Sequence, residues 1–156
     1  MQLVPTKYFV TSGRASSRVS GLNAFDMALM SAGICEQNLV AVSSVIPEGA
    51  VMTAPAAIPM GAVTHCVISQ IRGEGGAISA GIAYALREDG KGGYVAEGRL
   101  EGPGEGLRSE LERRVGEMSS ARGVAFGETR FLIEEMDVPD GMYGCCLAAL
   151  VFTEYR

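Results

Sequence analysis

Glycine punctuates the second half of this chain so regularly that it dictates a sheet-rich fold. Gly73, Gly75 and Gly76, then Gly90, Gly92 and Gly93, then Gly141 and Gly144 separate runs rich in Ala, Val and Ile. Glycine makes up 21 of the 156 residues, about twice its ordinary share of roughly 7%. Clusters of it between β-forming runs mark turns between short strands. The runs predict strands at Tyr8–Thr11, Asn38–Val45, Ala62–Arg72, Ile78–Arg87, Gly93–Leu100, Phe126–Met136 and Tyr143–Thr153. Several do not alternate cleanly between apolar and polar residues, which is the pattern of strands covered on both faces.

Helical periodicity occurs twice. Over Leu22–Ile34, Asn23 is a candidate N-cap and Leu22, Phe25, Leu29 and Ala32 form one apolar stripe. Over Glu105–Ser120, Leu107, Leu111, Val115 and Met118 recur at helical spacing, and Arg108, Glu110, Glu112, Arg113, Arg114 and Glu117 supply a solvated face. The preceding GPGEG lacks the spacing of a phosphate loop and is expected to be a helix entry turn. Strands in series with one early and one late helix predict an α+β fold, a layered αββα-type sandwich of mainly antiparallel strands with two principal helices. At 156 residues the chain is expected to form one domain.

The formal charge of −5 argues against a nucleic-acid partner, which needs a basic face. The start, MQLVPTKYFV, lacks the positive end and apolar run of a signal peptide. Cys35, Cys66, Cys145 and Cys146 show no CxxC spacing, so buried thiols in a reducing cytoplasm are expected, with no metal set among them. Lys7 and Lys91 are the only lysines, which makes a lysine-linked pyridoxal enzyme a poor fit. His65, the single histidine, lies in AVTHCVIS. Its neighbour Cys66 would point to the opposite face of a strand, so a core or sheet-edge histidine is expected and not a catalytic pair.

The segment with unusual chemistry is NLVAVSSVIPEG, residues 38–49. A strand ending in polar residues before a proline turn would account for it without any reaction. The alternative is an autocatalytic break. A strained backbone would bring the Ser44 hydroxyl onto the Ser43 carbonyl and convert the amide to an ester by an N→O acyl shift. Elimination would leave dehydroalanine, which hydrolyses to a pyruvoyl group and ammonia. Ser, Thr and Cys can all attack in this way, but only Ser yields pyruvoyl.

This segment, with LNAFDMALMSAGI (22–34), PMGAV (59–63), GYVAEG (93–98) and GCCLAALVF (144–152), resembles the pyruvoyl-dependent arginine decarboxylases in both order and spacing. The chain departs from the family at Cys35–Gln37, a link that is often glycine-containing, and residues 1–20 carry little of the likeness. The resemblance implies that Ser43 ends a β chain (1–43) and Ser44 begins an α chain (44–156) with a covalent pyruvoyl group. It implies that Asn38 assists cleavage, that Glu97 is the acid beside the pyruvoyl group, and that Asp26 receives the substrate guanidinium. It also implies conversion of L-arginine to agmatine and CO2 in polyamine biosynthesis, by trimers whose active sites lie between protomers.

By pattern alone, Asp26 could pair internally with Arg14 or Arg18, Glu97 could be a surface acid paired to Arg99, and Asn38 could simply open a strand. Two further alternatives are a pyruvoyl decarboxylase for another basic amino acid and a non-catalytic trimeric relative that binds ligand only.

Overall fold

The glycine-bounded runs do form strands, and these assemble into two stacked sheets with one helix on each outer face. The computed structural model describes residues 1–156. In chain order the elements are β1 (Pro5–Ser17), α1 (Gly21–Ala32), β2 (Asn38–Ala41), β3 (Val45–Ile46), β4 (Val51–Met52), β5 (Val63–Gly73), β6 (Gly76–Leu86), β7 (Gly93–Leu100), α2 (Gly104–Arg122), β8 (Arg130–Val138) and β9 (Tyr143–Tyr155). The first sheet has the order β2-β5-β9-β1-β4 and the second β3-β7-β6-β8. Pairing is antiparallel except for β1 with β4 and β2 with β5. This is the α+β layered sandwich that the sequence predicts.

Three apolar layers hold the sandwich together. Phe9, Ala28, Cys66, Leu147 and Val151 fill the space between α1 and the first sheet. Tyr8, Ile46, Val67, Ile82, Val95 and Leu150 lie between the sheets. Ala83, Ala96, Leu107, Leu111 and Val115 join the second sheet to α2. Strand β9 is buried on both faces, with Leu147 and Val151 toward α1 and Ala148 and Leu150 toward the second sheet. That double burial is why its sequence does not alternate. Each buried Leu or Val side chain there contributes about 1.5–3 kcal/mol by leaving water.

Helix α1 differs from expectation at its start and in its buried face. Ser20, not Asn23, is the N-cap, its Oγ accepting from the Asn23 N–H at 3.0 Å. Asn23 lies inside the helix, where its Oδ1 accepts from Ser17 Oγ at 2.7 Å. The fully buried face is Ala24, Ala28 and Ala32, whereas Leu22 is 66% exposed. Small residues face the sheet because the backbones approach closely. A Cβ on Gly13 of β1 would lie 2.3 Å from the Ala28 carbonyl oxygen. Helix α2 follows its predicted stripe, burying Leu107, Leu111 and Val115. The GPGEG turn does open it, with the Gly104 N–H donating to Glu135 Oε2 at 2.6 Å.

Strand lengths were set by pairing rather than by local propensity. Strand β1 runs well beyond Tyr8–Thr11 because it pairs with β9 from Pro5 to Ser17. Strand β8 begins at Arg130 instead of Phe126, while the two-residue β4 had no sequence signal. The largest departure is the expected Asn38–Val45 strand, which is two strands, β2 and β3, in different sheets.

Candidate active site

The break between β2 and β3 falls on the serine pair. After β2 ends at Ala41, the Val42 N–H donates to the Cys66 carbonyl at 2.9 Å, the last tie to the first sheet. Two residues later the Ser44 carbonyl accepts from the Val95 N–H at 2.9 Å, the first tie to the second sheet. The chain therefore crosses between sheets at the Ser43–Ser44 peptide. Neither the Ser43 carbonyl nor the Ser44 N–H has a backbone hydrogen-bond partner, so this amide is held at both ends and free in the middle. No non-glycine residue has positive φ. The crossing is held by its tethers to the two sheets.

Strand β3 is only two residues long, and it pairs with Tyr94 and Gly93 of β7. Gly92 permits this approach. A Cβ there would sit 2.5 Å from the Ile46 carbonyl oxygen, and its φ of 92° suits glycine. Beyond Val95 the edge of β7 is uncovered, and a cleft of about 520 Å³ opens along it. Val42, Ser43 and Ser44 form one wall, Val95 and Glu97 the floor, and Arg114, Glu117, Met118 and Arg122 of α2 the opposite wall.

Glu97 lies two residues beyond the buried Val95 on the same strand face, where the sheets part. It reaches solvent at the cleft mouth, yet burial of its carboxyl raises its pKa above the ordinary carboxylate value, opposed by Arg114 and then Arg99. Arg99, the surface partner that pattern alone suggests, forms no ion pair with it. Arg114 instead donates one guanidinium nitrogen to the Glu97 backbone carbonyl and another to Glu110 Oε1 at 2.8 Å.

Asp26 and Asn38 are not in this cleft. Asp26 is exposed on α1, on the outer side of the first sheet. It has no internal cation, because Arg14 lies 3.7 Å from Glu134 and donates to the Glu135 carbonyl, and Arg18 forms no ion pair. Asn38 opens β2, its Nδ2 donating to the Gly61 carbonyl at 2.8 Å. Ser43 lies five positions further along the extended chain, a span of roughly 16 Å at the rise of a strand. His65 faces the space between the sheets, with Nδ1 2.8 Å from Tyr155 Oη and the two rings edge to face.

The structure thus brings Ser43, Ser44 and Glu97 together and leaves Asn38 and Asp26 outside the cleft of their own chain. Sequence reasoning placed Arg114 and Glu117 on a solvated helix face and singled out no role for Arg122. Nothing in helical periodicity tells a polar face toward a cleft from one toward bulk water.

A family model described as pyruvoyl-dependent arginine decarboxylase matches residues 7–156. A protein of that name from Methanothermobacter thermautotrophicus is 32% identical over 154 residues, covering 97% of this chain and 99% of its own. One from Methanopyrus kandleri is 34% identical over 149 residues, covering 96% and 97%. Another from Pyrococcus furiosus is 30% identical over 156 residues, covering 97% and 99%. With its serine pair carried between two sheets and a carboxyl group facing the same cleft, this chain belongs to the pyruvoyl-dependent arginine decarboxylase family.

Proposed function

We propose that the chain is a proenzyme that cleaves itself between Ser43 and Ser44 and then converts L-arginine to agmatine and CO2. The observation that carries this is the shared cleft of Ser44 and Glu97, on a linkage whose peptide group is unencumbered by backbone hydrogen bonds. The division into a β chain, 1–43, and an α chain, 44–156, follows from it.

The residues fit a pyruvoyl group. It is built from the atoms of Ser44 itself, so it needs no cavity beyond the one Ser44 already lines. The Ser44 carbonyl stays fixed by the Val95 N–H after cleavage, since that bond lies on the α-chain side. When present, the group supplies a ketone for the substrate amine and an electron sink for the bond to CO2.

The chain's own residues do the rest. Val42, Val67, Val95 and Met118 give the cleft apolar walls that limit water around the reacting carbon. Glu97 carries the proton that replaces CO2 at the α-carbon, a role matched to a carboxyl that burial keeps protonated above its ordinary range.

Asp26 and Asn38 act from a neighbouring copy in a trimer or multiple of trimers. Asp26 sits among exposed apolar residues, Leu22 and Met30 being 66% and 60% exposed. Asn38 pairs in register with Val63, itself 63% exposed. Apolar surface of this kind around a lone carboxylate and a strand edge suits a protein contact. The substrate guanidinium then meets Asp26 as a two-pronged acceptor. No helix is long and apolar enough to cross a membrane, and the free, buried Cys66, Cys145 and Cys146 suit a reducing cytoplasm, where polyamine synthesis would use the product.

Intact mass and agmatine assay test the proposal together. The expected outcome is two chains meeting at Ser43–Ser44, the larger with a blocked N-terminus, and release of agmatine from arginine. An active, uncleaved chain with a free N-terminus would overturn it.

A further inference from the structure

Arg114 is the best-anchored charged side chain in the cleft, and the catalytic proposal gives it no task. It reaches from α2 to β7, donating to the Glu97 backbone carbonyl, while its second nitrogen is 2.8 Å from Glu110 Oε1 on its own helix. Both terminal nitrogens of the guanidinium thereby have protein partners, although the side chain is partly exposed. The two bonds span from the α2 helix to the β7 backbone and so set where the guanidinium lies.

Arg114 and Glu97 also line a second, polar cleft of about 490 Å³ with Ser69, Gln70 and Arg99. The pair lies between that polar space and the cleft of Ser44. We propose that Arg114 is a positioning residue for Glu97, bridging its peptide to Glu110 so that the Glu97 carboxyl stands at a fixed depth against Ser44 with a positive charge beside it. This rests on the reading of Glu97 as the proton donor.

The charges around Glu97 are few. Arg99 lies on its own strand, Arg114, Glu117 and Arg122 face the cleft from α2, and the β2–β3 crossing contributes none. Glu117 is paired with Arg113 at 2.6 Å, and Arg122 lies over the Tyr94 ring at 4.3 Å. The Cys66 thiol of β5 is pushed up to about 11, chiefly by burial and in part by Glu97, so it stays neutral at working pH. Arg114 is the stronger of the two cations that oppose the effect of burial on Glu97.

The test is the pH profile of kcat for processed wild type, Arg114→Gln, Arg114→Lys and Glu97→Gln. A proton donor works in its protonated form, so turnover falls as pH rises through its pKa. Loss of the Arg114 charge raises that pKa further. Arg114→Gln is expected to cleave normally, to lose on the order of 10- to 100-fold in kcat at the wild-type optimum, and to move the alkaline limb to higher pH. Arg114→Lys keeps the charge without the two-point bridge, so it should lose kcat while the limb stays in place. A wild-type limb in Arg114→Gln, or wild-type kcat in Arg114→Lys, would overturn the inference. Glu97→Gln separates the two levels: full turnover in that variant removes the proton-donor reading itself, whereas lost turnover there with an unmoved limb in Arg114→Gln removes only the role of Arg114.

Discussion

The Val95 N–H donates to the Ser44 carbonyl at 2.9 Å, fixing the second serine to the second sheet, while the Val42 N–H, one residue before Ser43, ties the chain to the first through the Cys66 carbonyl. The same bond would anchor the start of the α chain that the proposed cleavage creates, directly on the floor of the cleft.

Cleavage at this peptide should not separate the two pieces. Strand β1, in the 1–43 piece, pairs with β9 from Pro5 to Ser17, in the 44–156 piece, and β2 pairs with β5. Processed protein should elute as one species on native size exclusion and resolve into two on a denaturing gel. Ser44→Ala should show one full-length chain in both. Two species on the native column would contradict the interleaved sheet.

Glu97→Gln should cleave as wild type does while turnover falls on the order of 10²-fold, the scale of a lost general acid. Stability gives an independent reading. With the Glu97 pKa raised in the fold, the folded state binds more protons than the unfolded chain between the ordinary carboxylate value and the raised one. Stability therefore falls as pH rises through that window. Gln carries no such cost, so the variant should melt higher than wild type at neutral pH, with the advantage vanishing in acid. Thermal melts across pH check the sign.

Asp26→Asn should lower kcat/KM for arginine by about 10- to 150-fold, the value of one charge-assisted hydrogen bond of roughly 1.5–3 kcal/mol. Because Asp26 is exposed and has no ion pair, its stability should change by no more than about 0.5 kcal/mol. Co-expression of Asp26→Asn with Ser44→Ala should raise activity above that of either variant alone, since each supplies what the other lacks. No recovery would mean that the acid and the pyruvoyl group are not contributed by different copies.

Gly13→Ala should be costly despite adding one methyl. The new Cβ would meet the Ala28 carbonyl at 2.3 Å and the Ala32 nitrogen at 2.8 Å. Backbone atoms cannot swing away as a flexible side chain can, so a loss of about 1–3 kcal/mol is expected in denaturant unfolding. A variant as stable as wild type would show that α1 can shift away from the sheet without penalty.

By itself the sequence determined the class of fold and the chemistry available at the crossing. Glycine clusters bounded the long strands, helical spacing placed Leu107, Leu111 and Val115 against the sheet, and only a serine could have supplied a pyruvoyl group. These are local properties, carried by side-chain type and short-range periodicity. The tertiary structure alone decided that Asn38–Val45 is split between two sheets, because what ends β2 is the competition between Cys66 and Val95 as partners, and both are distant in the chain. It also decided that Ala24, Ala28 and Ala32, rather than the larger Leu22, face inward, since the close approach of Gly13 leaves no room for a leucine. Arg114 looked like any other charge on a solvated helix face. Its task depends on the Glu97 carbonyl, which lies 17 residues back in the chain and comes within reach only when α2 packs across β7.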